Sequence, residues 1–266
     1  MPLLKSLRPT VRKRLGRWVS YLLAAVIVVV VALVADWGVF ARQFANLDVA
    51  AKLFPQIVTS ALVNTLWYTV VSFVVGTALA IVFAIMKLGG GPFGWFARVY
   101  IELFRGIPAL LTIFACAFMV PIAFGVRLPG GTVGAGLIGL ILVTSAYMAE
   151  IIRAGIQAVP VGQREAARSL GMTSGQTMLW VILPQGVRIV IPPMTNEFVM
   201  LLKDTSLLFI AGVAMGQKEL TTFARDALST NANATPMIAA ALLYLIITVP
   251  LTMLAGKLEK MAGTKQ

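Results

Sequence analysis

The sequence predicts an all-α polytopic membrane protein with six transmembrane helices and both termini in the cytoplasm. Three observations predict this class: a hydrophobic fraction of 59% with only 12% charged residues, six long apolar runs, and a one-sided distribution of basic residues. Soluble domains have about 45–50% apolar and about 25% charged residues. The runs are close to the ~20 residues that a helix needs to cross a bilayer, whereas barrel strands have about 10 alternating residues.

The first apolar run, 18–36, follows a basic head at 1–17 that has six Lys and Arg residues and no acidic residue. We interpret the run as an uncleaved transmembrane helix, and the head as cytoplasmic. A cleaved signal peptide is the alternative, but the run is long and no A-x-A site follows it.

Five further runs predict the remaining spans, at 57–86, 100–124, 132–156, 187–215 and 236–255. The third of these spans is expected to be interrupted at Gly106, Pro108 and Pro121. A Gly-rich turn at 89–95 separates the second run from the third, and a short tail at 257–266 ends the chain. Gly131, Ala135 and Gly139 place small residues at i, i+4 and i+8 on the fourth span. This spacing favours close packing against a neighbouring helix.

Basic residues are distributed unevenly between the two sides of this six-span arrangement. Sixteen of the 22 Lys and Arg residues lie on the side that carries both termini, five lie on the other side, and Lys203 lies within the fifth run. Because cytoplasmic loops are enriched in Lys and Arg, the first side is expected to be the cytoplasm. The same asymmetry accounts for the net charge of +12 without a nucleic-acid partner.

A polar segment, 160–184, interrupts the apolar sequence on the predicted cytoplasmic side, and we call it the coupling segment. Pro160 and Gly171 bracket one short helix, and a capping-box pattern at Thr173 opens a second helix that Pro184 is expected to end. A helix this short is not stable alone in water, so it must pack against something. Its flat apolar patch is expected to consist of Ala166, Ala167 and Leu170. The residues alone leave open a docking surface or a plain loop.

The motif EAARSLGM, preceded by GQ and followed by ILPQ, resembles the EAA signature of ABC importer permeases. In that family the element is a coupling helix that inserts into a groove on the ATPase subunit. The resemblance therefore implies an ATPase-coupling role for Gly162, Glu165, Ala166, Ala167, Leu170, Gly171 and Pro184. The stretches YIELFRGIPALL, AYMAEIIRAGIQAVPVGQ, IPPMTNEF and LLKDTSLL resemble the polar amino-acid uptake branch. The resemblance covers about 57–256 and leaves the first helix as an addition to a five-helix core.

This resemblance implies the permease subunit of an importer for a polar amino acid, among which glutamate or glutamine is favoured. It also implies the plasma membrane of a prokaryote as the location. The implied partners are ATPase subunits that bind ATP and Mg²⁺, a second permease subunit and an extracytoplasmic solute-binding protein. The chain itself has no G-x-x-x-x-G-K-S/T motif, so it has no P-loop that could hold ATP, and we expect it to bind no cofactor.

Ionisable residues within apolar runs are costly in lipid, and a functional role is the default interpretation. A polar cluster interrupts the fifth run beyond Pro192 and Pro193, and it is predicted to line the substrate path. The cluster consists of Glu197, Lys203, Asp204, Thr205 and Ser206. The alternative is an internal ion pair between Lys203 and Asp204 that locks the bundle. Counted from Pro184, Asp204 lies ~30 Å along an ideal helix, which is near the outer boundary unless the helix begins in the cytoplasm or tilts.

Two i, i+3 charge pairs lie near the predicted cytoplasmic ends of the third and fourth spans. They are Glu102 with Arg105, followed by Pro108, and Glu150 with Arg153. The first pair is expected to serve the gate or to pack, with direct substrate contact as the alternative. The second is expected to be a structural pair that orients the coupling segment.

Two other classes of function compete with an importer subunit. A self-sufficient secondary transporter or channel is the main alternative, but no inverted repeat is evident and six spans are few. An intramembrane enzyme is disfavoured because the chain has no His, a single cysteine at Cys116, and no paired-carboxylate or Ser/Lys motif. The absence of His also excludes every His-ligated metal site.

Overall fold

The computed structural model describes residues 9–214 and 216–261, which are helical almost throughout and contain no strand. Backbone packing divides the chain into two units, residues 1–47 and 48–266. The smaller unit contains α1 (Pro9–Val34) and α2 (Trp37–Phe44), and α3 (Leu47–Leu53) follows at the boundary.

The larger unit is built from long helices joined by short turns. They are α4 (Val63–Gly89), α5 (Gly91–Gly106), α6 (Ala109–Phe114), α7 (Val120–Phe124), α8 (Gly131–Gln157), α9 (Val161–Ser169), α10 (Ser174–Gln176), α11 (Leu183–Asp204), α12 (Leu220–Asn231) and α13 (Thr235–Met261). Three π-helical segments precede α4, α7 and α11, at Ile57–Leu62, Ala115–Met119 and Thr177–Ile182. A 3-10 segment, Thr205–Ala211, extends α11.

Five helical runs in the described residues are long and apolar enough to cross a membrane, and a bent pair makes a sixth if it is counted as one span. The five are Arg17–Val34, Ile57–Gly89, Gly131–Gln157, Ser174–Ala211 and Thr235–Met261. A helix of 27 residues is about 40 Å long, which exceeds the ~30 Å hydrocarbon core. The predicted all-α polytopic fold class is therefore confirmed.

The interruption predicted at Gly106 and Pro108 in the third span, 100–124, is present as a sharp bend. Two helical arms, Gly91–Gly106 and Ala109–Phe124, meet at an angle of 105°. Ile107 and Pro108 between them have extended backbone, with ψ of 133° at both residues. A residue that precedes proline is sterically driven out of the helical region, so α5 ends at this point. The span begins at Gly91, inside the turn predicted at 89–95.

The bounds predicted for the fifth span, 187–215, are wrong at both ends. Pro184 does not end a separate short helix, because one helical run continues from Ser174 through α11 to Ala211. The π-helical turn immediately before Pro184 widens the helix and accommodates a residue without an N–H. At the other end the run stops before Gly212, which has φ of +70°. It therefore falls short of the predicted end at Met215, which lies outside the described residues.

The two ends of the described chain are more helical than predicted. Helix α1 begins at Pro9, within the basic head predicted at 1–17, of which residues 1–8 lie outside the described part. Helix α13 extends to Met261, so it includes the first half of the tail predicted at 257–266. Residues 262–266 lie outside the described part as well.

Helix α8 lies at the centre of the larger unit, where it packs against α4, α5, α6 and α11. Small residues allow these helices to approach closely, as predicted for the face of Ala135 and Gly139. Ala135 is buried, and a Cβ added at Gly139 would lie only 2.8 Å from the Cα of Ile113 on α6. Gly131, the third predicted member, is exposed at the start of α8. The packing face is therefore shorter than predicted.

Gly139→Ala is expected to lower the free energy of unfolding by about 1–3 kcal/mol, because the backbone of Ile113 cannot move aside for a methyl group. Gly175→Ala is the matched control, since a Cβ there meets nothing within 4 Å and alanine favours helix. Thermal unfolding of both variants in detergent micelles measures the difference. Equal Tm values would show that α6 and α8 can separate without cost.

Candidate functional site

A cavity of about 330 Å³ opens where the bend between α5 and α6 meets α8 and α11. Its lining residues are Arg105, Gly106, Ile107, Pro108, Ala109, Val143, Thr144, Tyr147, Glu197, Met200 and Asp204. Thr144 is the middle residue of α8, so the cavity lies halfway along that span. Binding sites of membrane transporters are typically found at this depth, next to interrupted helices.

Three charged side chains line this cavity, and they come from two different elements. Glu197 and Asp204 are seven residues apart on α11, so two helical turns place them on the same face, where both are half-buried. Arg105 lies in the last turn of α5, with its Cζ 5.4 Å from the ring centroid of Tyr147. This distance is within the range of a cation–π interaction. The cavity therefore combines two carboxylates with one guanidinium group.

The structure separates the predicted substrate-path residues into two groups. Glu197 and Asp204 line the cavity, whereas Lys203, Thr205 and Ser206 do not. Lys203 is exposed, and the ion pairs in residues 9–214 and 216–261 do not include one between Lys203 and Asp204. Thr205 is fully buried and donates its hydroxyl hydrogen bond to the carbonyl of Leu202 at 2.7 Å. The alternative of a locking ion pair is therefore not found.

Arg105 and Pro108 were expected near the cytoplasmic end of the third span, and this position is wrong. They lie at the bend and line the cavity, because the span begins at Gly91 and reaches its midpoint where they are. Glu102, one turn earlier, is exposed and does not line the cavity. The structure therefore places Arg105 where contact with a substrate is geometrically possible.

Asp204 meets the condition under which it lies deeper than the count from Pro184 suggests, because its helix begins earlier. The helical run that carries it begins at Ser174, ten residues before Pro184, from which the earlier count started. Because Asp204 shares a cavity with Thr144, it lies near the middle of α8 and not near the outer boundary.

Sequence reasoning missed Thr144 and Tyr147, the two polar residues that α8 contributes to the cavity. Both are uncharged and occur within an apolar run, so they did not stand out by composition. Only their three-residue spacing, which places them on one side of a helix, could have indicated them.

A charge cluster around Glu150 lies near the end of α8. Its Oε2 accepts hydrogen bonds from Lys87 Nζ and Arg153 Nε, both at 3.0 Å, and its Oε1 pairs with Arg153 Nη2. The predicted pair of Glu150 with Arg153 is therefore present. Lys87 was missed because it belongs to α4, and its position depends on the packing of α4 against α8. The cluster joins these two helices just before the coupling segment.

The helix ends predicted at Pro160, Gly171 and Thr173 in the coupling segment are present, whereas the one predicted at Pro184 is not. Helix α9 ends in a Schellman motif, in which the Met172 N–H donates to Ala167 O at 3.2 Å and the Gly171 N–H donates to Arg168 O at 3.0 Å. Gly171 has φ of +84°, a conformation that side chains with a Cβ rarely adopt. Thr173 then forms the reciprocal capping box with Gln176.

The residues predicted to couple to the ATPase differ in their exposure to solvent. Gly162, Glu165, Ala166, Leu170, Gly171 and Pro184 are exposed, and Leu170 has 84% of its surface accessible. Ala167 is only 4% exposed, so the expectation that it belongs to one flat outer patch is wrong. Consecutive helical residues point about 100° apart, and Ala167 faces inward next to exposed Ala166. The outer surface therefore centres on Glu165, Ala166 and Leu170.

Buried apolar residues hold the coupling segment on the larger unit. Ile156, Val159 and Ile182 form one cluster, against which Met178 and Leu88 pack. The side-chain amide of Gln185 also donates to Gln163 Oε1 at 3.4 Å, which links α11 to α9. A helix of nine residues that would be unstable alone is thus supported from one side, and its other side is open.

Comparison with known proteins decides the family. Residues 74–262 match the family described as binding-protein-dependent transport system inner membrane component. The chain belongs to this family. The resemblance noted in the sequence is therefore confirmed, and the chain is the permease component of an amino-acid ABC importer. It is a multi-pass membrane protein whose ATPase is a separate partner.

Two relatives and one solved structure illustrate the similarity of this permease. The probable glutamine ABC transporter permease protein GlnM of Bacillus subtilis (strain 168) is 44% identical over 192 residues, which are 71% of this chain and 83% of GlnM. The arginine transport system permease protein ArgU of Corynebacterium glutamicum is 33% identical over 257 residues, 92% of this chain and 79% of ArgU. The crystal structure of an amino acid ABC transporter with histidines has a TM-score of 0.73 and 34% identity, covering 80% of this chain and 96% of that chain.

The permease contains one further buried acidic residue that sequence reasoning missed. Glu219 is fully buried and caps α12, with its two oxygens accepting the N–H groups of Thr221 and Thr222 at 2.5 and 2.7 Å. Burial raises the pKa of this carboxyl, although the bonds to Thr222 and Thr221 oppose the shift. Tyr68 of α4 holds the preceding turn by donating to the carbonyl of Gln217 at 2.8 Å. Glu219 therefore helps fix the connection between α11 and α12.

Proposed function

We propose that this permease carries a polar amino acid whose side chain is cationic or an amide, and that the cavity at the α5–α6 bend binds it. The observation that carries the proposal is the set of three charges, Arg105, Glu197 and Asp204, around one cavity. A free amino acid brings one carboxylate and one ammonium group. Arg105 is suited to the carboxylate, and one of the two acidic residues is suited to the ammonium group.

The second acidic residue then remains for the substrate's side chain. A carboxylate accepts hydrogen bonds and attracts positive charge, so it favours a guanidinium, an ammonium or an amide NH₂ group. It repels the side chain of glutamate. Of the two substrates that the resemblance favours, this argument supports glutamine and disfavours glutamate. The names of GlnM and ArgU, which mention glutamine and arginine, agree with this range.

We propose that the coupling segment transmits ATP hydrolysis from a separate ATPase to this cavity. Leu170 supports this, because an apolar side chain with 84% of its surface exposed at the tip of a short helix is suited to a partner's groove. The transporter would then alternate between two states that differ in their contacts with ATP-bound ATPase subunits. The other proposed partners are a second permease subunit and an extracytoplasmic solute-binding protein, and both termini would be cytoplasmic.

Isothermal titration calorimetry on the purified permease–ATPase complex in nanodiscs tests the substrate class. The solute-binding protein is left out because it has a selectivity of its own. Arginine and glutamine are expected to bind, and glutamate at the same concentration is not. Binding of glutamate alone would contradict the proposed use of the two carboxylates. Uptake in proteoliposomes is the second measurement, and uptake that continues without ATP would favour a secondary transporter.

A further inference from the structure

Helix α2 carries an aromatic face directly after the first span. Trp37, Phe40 and Phe44 lie at i, i+3 and i+7, so they share one side of the helix. The ring centroids of Trp37 and Phe40 are 5.8 Å apart, and those of Phe40 and Phe44 are 5.2 Å apart and stacked. All three rings are exposed, and no residue of α2 is buried. Within the described part of its own unit, residues 9–47, no element covers this apolar face.

Two local hydrogen bonds hold α2 close to the end of α1. Asp36 caps α2, with its Oδ1 accepting the Val39 N–H at 2.9 Å. The indole Nε1 of Trp37 donates to the carbonyl of Ala32 at 2.7 Å. This carbonyl is among the last four of α1, which lack partners within the helix. The aromatic face therefore starts three residues beyond Val34, where α1 ends.

The position of α1 in the membrane sets the position of α2. The span Arg17–Val34 has a mean hydropathy of 2.4, and none of its residues is buried. Such a helix is suited to contact with lipid along its whole length. Its end at Val34 thus lies at one surface of the bilayer, at the level that aromatic side chains with a polar atom prefer. The aromatic face of α2 follows this lipid-facing surface after two non-helical residues, Ala35 and Asp36.

We propose that α2 is an interfacial helix, with the face of Trp37, Phe40 and Phe44 buried in the headgroup layer of the lipid bilayer. A helix with one apolar face lies in the plane of the interface, with that face 5–10 Å deep at roughly the boundary of headgroups and acyl chains. Val39 and Arg42 lie on the opposite side, so they face water. The partner of this surface is lipid, and the contact is independent of the transported substrate.

Spin labelling of the assembled transporter in vesicles of phosphatidylethanolamine and phosphatidylglycerol tests this orientation. Cys116 is the chain's single cysteine, so Cys116→Ala provides a background for labelling one position at a time. Phe40→Cys and Phe44→Cys report the aromatic face, and Val39→Cys and Arg42→Cys are the matched controls on the other side. Ala41→Cys, beside the aromatic face, keeps all three rings in place.

Power saturation with oxygen and a water-soluble nickel complex measures the exposure of each label to lipid and to water. The oxygen-to-nickel ratio is expected to be several-fold higher at positions 40, 41 and 44 than at 39 and 42. High nickel accessibility at all five positions would place α2 in water and overturn the proposal. Low accessibility to both reagents at positions 40, 41 and 44 would also overturn it, since a protein subunit would then cover the face.

Discussion

Asp204→Asn is expected to reduce substrate affinity and uptake by roughly 10- to 100-fold. The substitution keeps the size of the side chain and removes its charge from a cavity that also holds Arg105 and Glu197. A hydrogen bond to a charged group contributes about 1.5–3 kcal/mol, which corresponds to this range of affinity. Initial rates of uptake into proteoliposomes, measured over a range of arginine and glutamine concentrations, provide the check.

The control for this substitution is Asp226→Asn on α12. Asp226 is half exposed and pairs with Lys218 at 2.6 Å, outside the cavity. Exposed ion pairs contribute about 0–1 kcal/mol, so uptake is expected to change little. Both variants are expected to co-purify with the ATPase. Normal uptake by the Asp204 variant would remove this residue from the substrate path.

Leu170→Asp is expected to abolish stable association with the ATPase and, with it, ATP-driven uptake. The substitution places a carboxylate at an exposed apolar tip that we propose to be buried in a groove of the ATPase. An uncompensated buried charge costs about 3 kcal/mol or more, which corresponds to roughly 100-fold weaker association. Co-purification of the ATPase with tagged permease measures the loss.

The matched control is Val126→Asp, which makes the same chemical change in the exposed turn before α8. The 27 residues of α8 separate this turn from the coupling segment by about 40 Å. The control is expected to retain the ATPase. If Leu170→Asp retained both the ATPase and uptake, the segment 160–184 would be a plain connecting loop.

The membrane spans could be predicted because each one depends on the summed hydrophobicity of consecutive residues. A run of about 20 apolar residues has few alternatives to a transmembrane helix, whatever the rest of the chain does. The helix ends at Gly171 and Thr173 could be predicted for the same reason, since caps depend on neighbouring residues only. The shape of the third span could not be predicted in this way, because it does not depend on neighbouring residues alone. Gly106 and Pro108 indicate an interruption, but the angle of 105° depends on how both arms pack against α8.

The candidate site could be predicted only in part. Which charged side chains come together depends on their burial and on the direction in which each one points from its helix. The cost of charge in lipid singled out Glu197 and Asp204 from sequence. Lys203 has the same cost, yet its angular position on α11 directs it away from the cavity. Arg105 comes from an element nearly 100 residues earlier, so only the tertiary structure brings it to these carboxylates. The burial of Ala167 also depends on tertiary structure, since α9 as a whole packs against the π-helical turn before α11.

The two helices that flank the coupling segment differ in the continuity of their backbone. Helix α8 contains no proline, whereas the run through α11 has a π-helical turn followed by Pro184, Pro192 and Pro193. Each proline removes one hydrogen bond from the helix, so this run is the easier one to bend. We infer that α8 acts as a stiff lever and the α11 run as a compliant hinge. A push on the coupling segment would then change the cavity by sliding its carboxylates past Thr144 and Tyr147.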